Sequence, residues 1–216
     1  EEAFQFGFPL DAQAILLIEV DGLQAGLDQQ RDQIVELCKK AGARDVRQAA
    51  TEQERQKLWK CRKQAFGAIG RLSPSYCTQD GVVPRTKLPH ILRRISEIGN
   101  KYDIRIVNVF HAGDGNIHPI LLFDERDAAQ TQRVLDASHE ILQECLDCGG
   151  SVTGEHGIGV EKISFMAKMF SENDLQAMAR LRDAFNPHNR LSPDKILPVA
   201  GACGIEQKHP GRRAAM

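Results

Sequence analysis

The sequence predicts an α+β fold, and three observations carry that expectation. Apolar runs of strand length alternate with amphipathic stretches, in the order strand–helix–strand and then strand–helix–strand–strand. Two of those strands flank a glycine-rich turn of hairpin type. Two amphipathic stretches, near residues 88–98 and 127–148, carry enough apolar surface to cover one face of a sheet.

The elements follow in order. Ala14 to Val20 (AILLIEV) is an apolar run closed by Asp21-Gly22, which predicts a core strand and a turn. Residues 24–41 place Leu27, Ile34, Cys38 and Ala41 on one helical stripe, with Gly42 as the stop. Asp45 to Ala49 suits a short strand. Glu52 to Ile69 reads as a helix carrying Trp59, Arg62 and Phe66, and Tyr76 to Val83 as an extended stretch ending at Pro84. Leu88, Ile91, Leu92, Ile95 and Ile98 define an amphipathic helix. Ile104 to Phe110 and Ile117 to Phe123 are buried strands on either side of the turn. A long helix over 127–148 uses Val134, Leu135, Ile141, Leu142 and Cys145, and a glycine-studded loop from Gly149 to Gly159 precedes two shorter helices. The second starts at Ser171, with Asp174 three residues on as a capping signature. The expected architecture is a ferredoxin-like antiparallel sheet with helices on one face, plus C-terminal helices. It is expected as one domain over 1–198, with a disordered tail over 199–216 that is rich in Gly, Ala and Arg.

Composition narrows the function classes. The 216 residues are 42% hydrophobic and 26% charged, an ordinary soluble globular balance. Twenty-nine acidic side chains nearly cancel 28 basic ones, so nothing in the charge asks for nucleic acid or an anionic membrane. No apolar run approaches the roughly 20 residues that a transmembrane helix needs. Of six cysteines only Cys145 and Cys148 form a C-x-x-C pair, and a four-thiolate zinc site would need a second pair. The thiols suit a reduced, cytoplasmic protein. No P-loop, H-E-x-x-H or G-x-G-x-x-G is present.

Two motifs carry candidate chemistry. In His111-Ala-Gly-Asp-Gly-Asn-Ile-His118 a hairpin turn brings two histidines to facing strand ends, where Cβ atoms stand about 5 Å apart. Two imidazoles at that spacing can share one cation. In Gly154-Glu155-His156-Gly157-Ile158-Gly159 the glycines clear space around a carboxylate and an imidazole. Two histidines and one carboxylate leave coordination positions open, as a catalytic metal requires. His156 beside them is of the residue type best suited to accept a proton near neutral pH. Arg62 taken alone reads as a solvated helix residue.

These stretches resemble the FAD-linked oxidase family, closest to its glycolate oxidase and D-lactate dehydrogenase members. The resemblance rests on HAGDGNIH (111–118), TGEHGIG (153–159), Arg62, Gly70-Arg71-Leu72-Ser73-Pro74 and Asp80-Gly81-Val82-Val83-Pro84, and it covers the chain up to Pro198. It implies that His111, His118 and Glu155 bind a divalent metal, zinc above all. It also implies that Arg62 grips the substrate carboxylate, that His156 is the base, and that Asn116 lies close to the flavin. FAD itself is expected on an N-terminal FAD-binding domain that is absent from this sequence. The closing Leu191-Ser192-Pro193-Asp194-Lys195 departs from the family's Leu-Asn-Pro-Gly-Lys. In relatives that oxidise 2-hydroxyglutarate, a Thr and an Asn stand where this chain has Phe66 and Ile120.

The implied activity is oxidation of a small 2-hydroxy acid, glycolate or D-lactate, to the 2-oxo acid, with an iron–sulfur subunit as a partner. The implied location is cytoplasmic, with membrane association only through partner subunits. A metal-stabilised docking module and a metal-dependent hydrolase are the alternatives from other classes.

Overall fold

The computed structural model describes residues 4–198, and the chain divides into two units that part between Leu72 and Ser73. The expected tail over 199–216 lies outside the described residues.

The first unit contains two helices, α1 (Gln24–Lys40) and α2 (Glu52–Ile69). α1 is kinked at Ala25 and Gly26, where the backbone leaves helical geometry, and it buries none of its residues. α2 opens with a reciprocal capping box: the Thr51 hydroxyl accepts from the Glu54 amide, and the Glu54 carboxylate accepts from the Thr51 amide. Glu19 is held from α2 by Arg55, at 2.9 Å, and by the Trp59 indole N–H. The expected core strand at Ala14 to Val20 is not one. No described strand pairs with it, and Ile15, Leu16 and Ile18 are exposed. Asp45 to Ala49 is likewise unpaired. An apolar run shows that a segment suits a sheet; the ladder itself needs a neighbour.

The second unit holds the sheet. β1 (Ser75–Thr78), β5 (Pro119–Phe123) and β3 (Arg105–Asn108) form an antiparallel sheet in the order β1-β5-β3. A shorter ladder joins β2 (Gly81–Val82) to β4 (Asn116–Ile117). Helix α3 (Leu88–Tyr102) connects β1 and β2 to β3, and α4 (Ala128–Asp147) follows β5. Chain order β-α-β-β-α with β5 inserted between β1 and β3 is the split β-α-β arrangement expected from the sequence.

The two ladders share one register. Thr78 pairs with Ile120 and Gly81 pairs with Ile117. The expected single stretch from Tyr76 to Val83 is therefore interrupted at Gln79 and Asp80. Opposite them lies Pro119, whose missing N–H removes a ladder bond, although Gln79 N still donates to Pro119 O at 2.9 Å.

β5 is the central strand and is buried on both faces. Its Leu121 meets Ile91, Ile95 and Ile98 of α3, and Val134, Ala137 and Ile141 of α4, in one cluster. Each buried isoleucine contributes about 1.5–3 kcal/mol. α3 ends at Asp103 in the left-handed conformation. α4 is started by Asp127, whose carboxylate accepts from the amides of Ala129 and Gln130. The half-buried edge between the helices is tied by Arg94 to Glu144, at 2.7 Å, and Lys101 to Glu140, at 2.6 Å. Two further helices, α5 (Ile163–Met169) and α6 (Glu172–Phe185), complete the unit, with Ser171 and Asp174 forming the expected capping box. No described helix is long and apolar enough to cross a membrane.

Candidate active site

The turn between β3 and β5 presents the two histidines. Asn108 pairs with Pro119, Val109 N donates to His118 O at 3.3 Å, and His111 bridges Asn116. His111 and His118 are thus diagonal neighbours on one face of the hairpin rather than directly opposite, as the sequence suggested. Diagonal positions remain within reach of ring side chains. The ring centroids stand 5.5 Å apart, edge to face. His118 is buried and His111 exposed.

Gly115 makes that turn possible. Its φ is +72°, and a Cβ there would lie 2.1 Å from Val83 O. Val83 N donates to Gly115 O at 3.0 Å, so the segment after β2 presses directly on the turn.

The loop after α4 brings Glu155 and His156 to the same place. Glu155 Oε1 lies 2.8 Å from His118 Nε2, 3.7 Å from His111 Nε2 and 4.0 Å from His156 Nε2. One carboxylate oxygen therefore stands among three imidazole nitrogens. The His156 ring stacks on His118 with centroids 4.9 Å apart and planes 7° from parallel. Gly154 packs on Asn116, since a Cβ there would meet the Asn116 amide at 2.7 Å. Asn116 is buried, and its Oδ1 has no hydrogen-bond partner.

Asp80 anchors this loop. Its Oδ2 accepts from the Thr153 hydroxyl at 2.6 Å and from the amides of Gly154, Glu155 and His156 at 2.9, 3.1 and 2.9 Å. Burial alone would raise the Asp80 carboxyl, but these four donors outweigh it and hold it at about 2. The buried Lys162 ammonium donates to Asp80 O at 2.8 Å and Val152 O at 2.7 Å, clamping the two segments together. The closing segment reaches the loop as well, through Ile196 N to Gly159 O at 2.8 Å.

Burial lowers the pKa of His118, and the neighbouring His156 lowers it further. His118 is therefore neutral at pH 7 and has a lone pair to offer. His111, His118 and Glu155 each place one ligand atom within 4.8 Å of the others. Ligands of a tetrahedral cation at about 2.0–2.1 Å stand roughly 3.4 Å from each other, so this trio can close on one ion with small side-chain movements.

Five of the six residues singled out in the sequence thus come together: His111, His118, Glu155, His156 and Asn116. Arg62 lies on α2, in the first unit. Sequence reasoning gave no role to Asp80 or Lys162. An acid alone in the extended Tyr76–Val83 run, directly before a glycine, was the available signal for Asp80.

The description "FAD linked oxidases, C-terminal domain" fits residues 1–196. The chain belongs to that family. Among curated relatives, glycolate oxidase subunit GlcD of Escherichia coli K12 is 42% identical over 203 residues, which is 94% of this chain and 41% of that protein. The Bacillus subtilis glycolate oxidase subunit GlcD is 37% identical over 91% of this chain and 42% of its own length. A mitochondrial D-lactate dehydrogenase [cytochrome] of Arabidopsis thaliana is 27% identical over 85% of this chain and 33% of its own. The chain spans about two-fifths of the length of the two glycolate oxidase subunits. The histidine and glutamate cluster lies within the residues that this family description matches.

Proposed function

We propose that this chain is the substrate- and metal-binding part of an FAD-dependent 2-hydroxy-acid dehydrogenase that acts on glycolate or D-lactate. The observation that carries the reading is the convergence of His111, His118 and Glu155, with His156 stacked against them. The printed names of the relatives, glycolate oxidase subunit and D-lactate dehydrogenase, support the substrate class.

His111, His118 and Glu155 hold a divalent cation, zinc by ligand type. When bound, the cation would lend Lewis acidity to the substrate hydroxyl, and FAD on a separate domain would accept the α-hydrogen together with the two electrons of its broken C–H bond. His156 Nε2, 4.0 Å from the Glu155 carboxylate, accepts the hydroxyl proton. Arg62 orients the substrate carboxylate with its planar guanidinium. Asn116, buried against Gly154 at the turn, would lie close to the flavin. Phe66 and Ile120 stand where relatives that oxidise 2-hydroxyglutarate carry a Thr and an Asn, and the loss of both polar groups favours a small monocarboxylic substrate. The full-length protein is one subunit of a complex with an iron–sulfur partner, in keeping with the relatives named as subunits. The domain arrangement follows: residues 1–198 as the substrate and metal part, joined in cis to an FAD-binding domain.

Anaerobic mixing of the full-length flavoprotein with substrate tests this reading. Glycolate or D-lactate bleaches the flavin absorbance, and D-2-hydroxyglutarate does so much more slowly. Fastest bleaching by the dicarboxylic acid contradicts the substrate assignment, and no bleaching by any hydroxy acid contradicts the dehydrogenase reading.

A further inference from the structure

Two polar atoms at the heart of the second unit face each other without partners. Asp80 Oδ1 and His118 Nδ1 are both buried, neither makes a hydrogen bond, and they stand 3.8 Å apart. Their side chains are 0% and 3% exposed. The shared register explains the meeting: Thr78 pairs with Ile120 and Gly81 with Ile117, so Asp80 falls opposite His118. Leaving such atoms unpaired is costly, and a movement of about 1 Å brings them to hydrogen-bond distance.

With a cation between Nε2 and Glu155, the chemistry at the other ends of both side chains fixes the direction of that bond. Asp80 Oδ2 already accepts from four donors, which keeps the carboxylate ionised and leaves Oδ1 able only to accept. A neutral imidazole carries its proton on one nitrogen and a lone pair on the other. A proton on Nδ1 therefore leaves the lone pair on Nε2, the nitrogen 2.8 Å from Glu155.

We propose that Asp80 is a positioning residue: through Oδ1 it holds the proton on His118 Nδ1 and so presents Nε2 to the cation, while through Oδ2 it fixes the loop carrying Glu155 and His156. One carboxylate thereby sets two ligands that come from separate segments. Carboxylate–histidine pairs behind metal ligands fix ring orientation and tautomer in this way. The proposal rests on the reading of His111, His118 and Glu155 as ligands.

The test uses full-length protein labelled with 15N at histidine, with zinc as the probe. In the zinc-loaded wild type, the His118 ring, identified by its loss in His118→Gln, shows a slowly exchanging Nδ1 proton and a metal-shifted Nε2. In Asp80→Asn the amide oxygen can keep the loop donors while the NH2 group turns to His118 Nδ1. The Nδ1 proton signal is then lost and zinc affinity falls about 10- to 100-fold, with circular dichroism and melting temperature reporting an intact fold. A folded Asp80→Asn protein with wild-type zinc affinity overturns the proposal, because an anchor of purely structural value would give that result. If Asp80→Asn does not fold, the wild type decides alone: zinc bound through His118 Nδ1 overturns the proposal, and an Nδ1 proton supports it. Absence of zinc binding by the wild type contradicts the ligand assignment itself, and the role of Asp80 falls with it.

Discussion

His118 Nε2 lies 2.8 Å from Glu155 Oε1, a contact between a buried ring on a hairpin and an exposed carboxylate on a loop beyond α4. Neither segment could make the site alone. If this contact is half of a metal site, Glu155→Gln removes a charged ligand and His118→Ala removes a buried neutral one. Each is expected to weaken zinc binding by more than the about 10- to 100-fold that a supporting residue costs. Titration calorimetry on the full-length protein measures it.

His156 is expected to separate binding from turnover. Its ring stacks on His118 but is not among the three converging residues His111, His118 and Glu155. His156→Ala is expected to lower kcat by about 10²- to 10⁴-fold, the usual contribution of a positioned base. Metal content should stay at the wild-type level. Steady-state kinetics beside metal analysis of the same sample checks both statements, and unchanged turnover removes His156 from the mechanism.

Gly115→Ala should be strongly destabilising. The left-handed φ and the 2.1 Å approach to Val83 O leave no room for a methyl group. A loss of about 2 kcal/mol or more is expected, because both backbone strain and the Val83–Gly115 hydrogen bond are affected. Urea unfolding is the measurement.

The closing segment offers the opposite sign. Ser192 and Asp194 have φ of +42° and +59°, at positions where the family motif has Asn and Gly. Both family residues enter left-handed backbone more readily than the ones found here. Ser192→Asn is therefore expected to stabilise the protein by up to about 1 kcal/mol, read from the shift in the thermal midpoint.

Asp80 gives the second unit an acid-sensitive component. Its carboxyl is held at about 2 in the folded protein, below the roughly 3.9 of an unfolded aspartate. A depressed folded value means the stabilisation is fully present above about pH 4 and is lost as pH falls through about 2. The difference amounts to about 2–3 kcal/mol. The stability gap between wild type and Asp80→Asn should be constant above pH 4 and shrink between pH 4 and pH 2. Denaturant titrations at fixed pH values test this, and a gap unchanged down to pH 2 contradicts it.

The helices were legible because they carry local signals: Ile91, Ile95 and Ile98 on one stripe, and the capping pair Ser171 and Asp174. The strands of the second unit were legible too, but their ends were not. Pro119 breaks a ladder only opposite a partner, and that partner lies far away in sequence. Ala14 to Val20 failed as a strand for the same reason: its apolar pattern says nothing of a neighbour. In the site, the His111, His118, Glu155 and His156 motifs stood out as polar groups set among glycines. Asp80 did not, because its value lies in four donors from residues 153–156 and in the ring opposite it, none of which its own neighbourhood announces.

If His111, His118 and Glu155 hold the proposed cation, hydroxy-acid oxidation by the full-length protein needs that cation. The most direct measurement is the anaerobic rate of flavin bleaching by glycolate or D-lactate, taken before chelation, after it, and after zinc is restored, in the wild type and in His111→Ala/His118→Ala. Chelation is expected to abolish bleaching, zinc to restore it in the wild type, and the double variant to stay inactive throughout while keeping its flavin. Bleaching at the original rate in the metal-free wild type, or in the double variant, would contradict it.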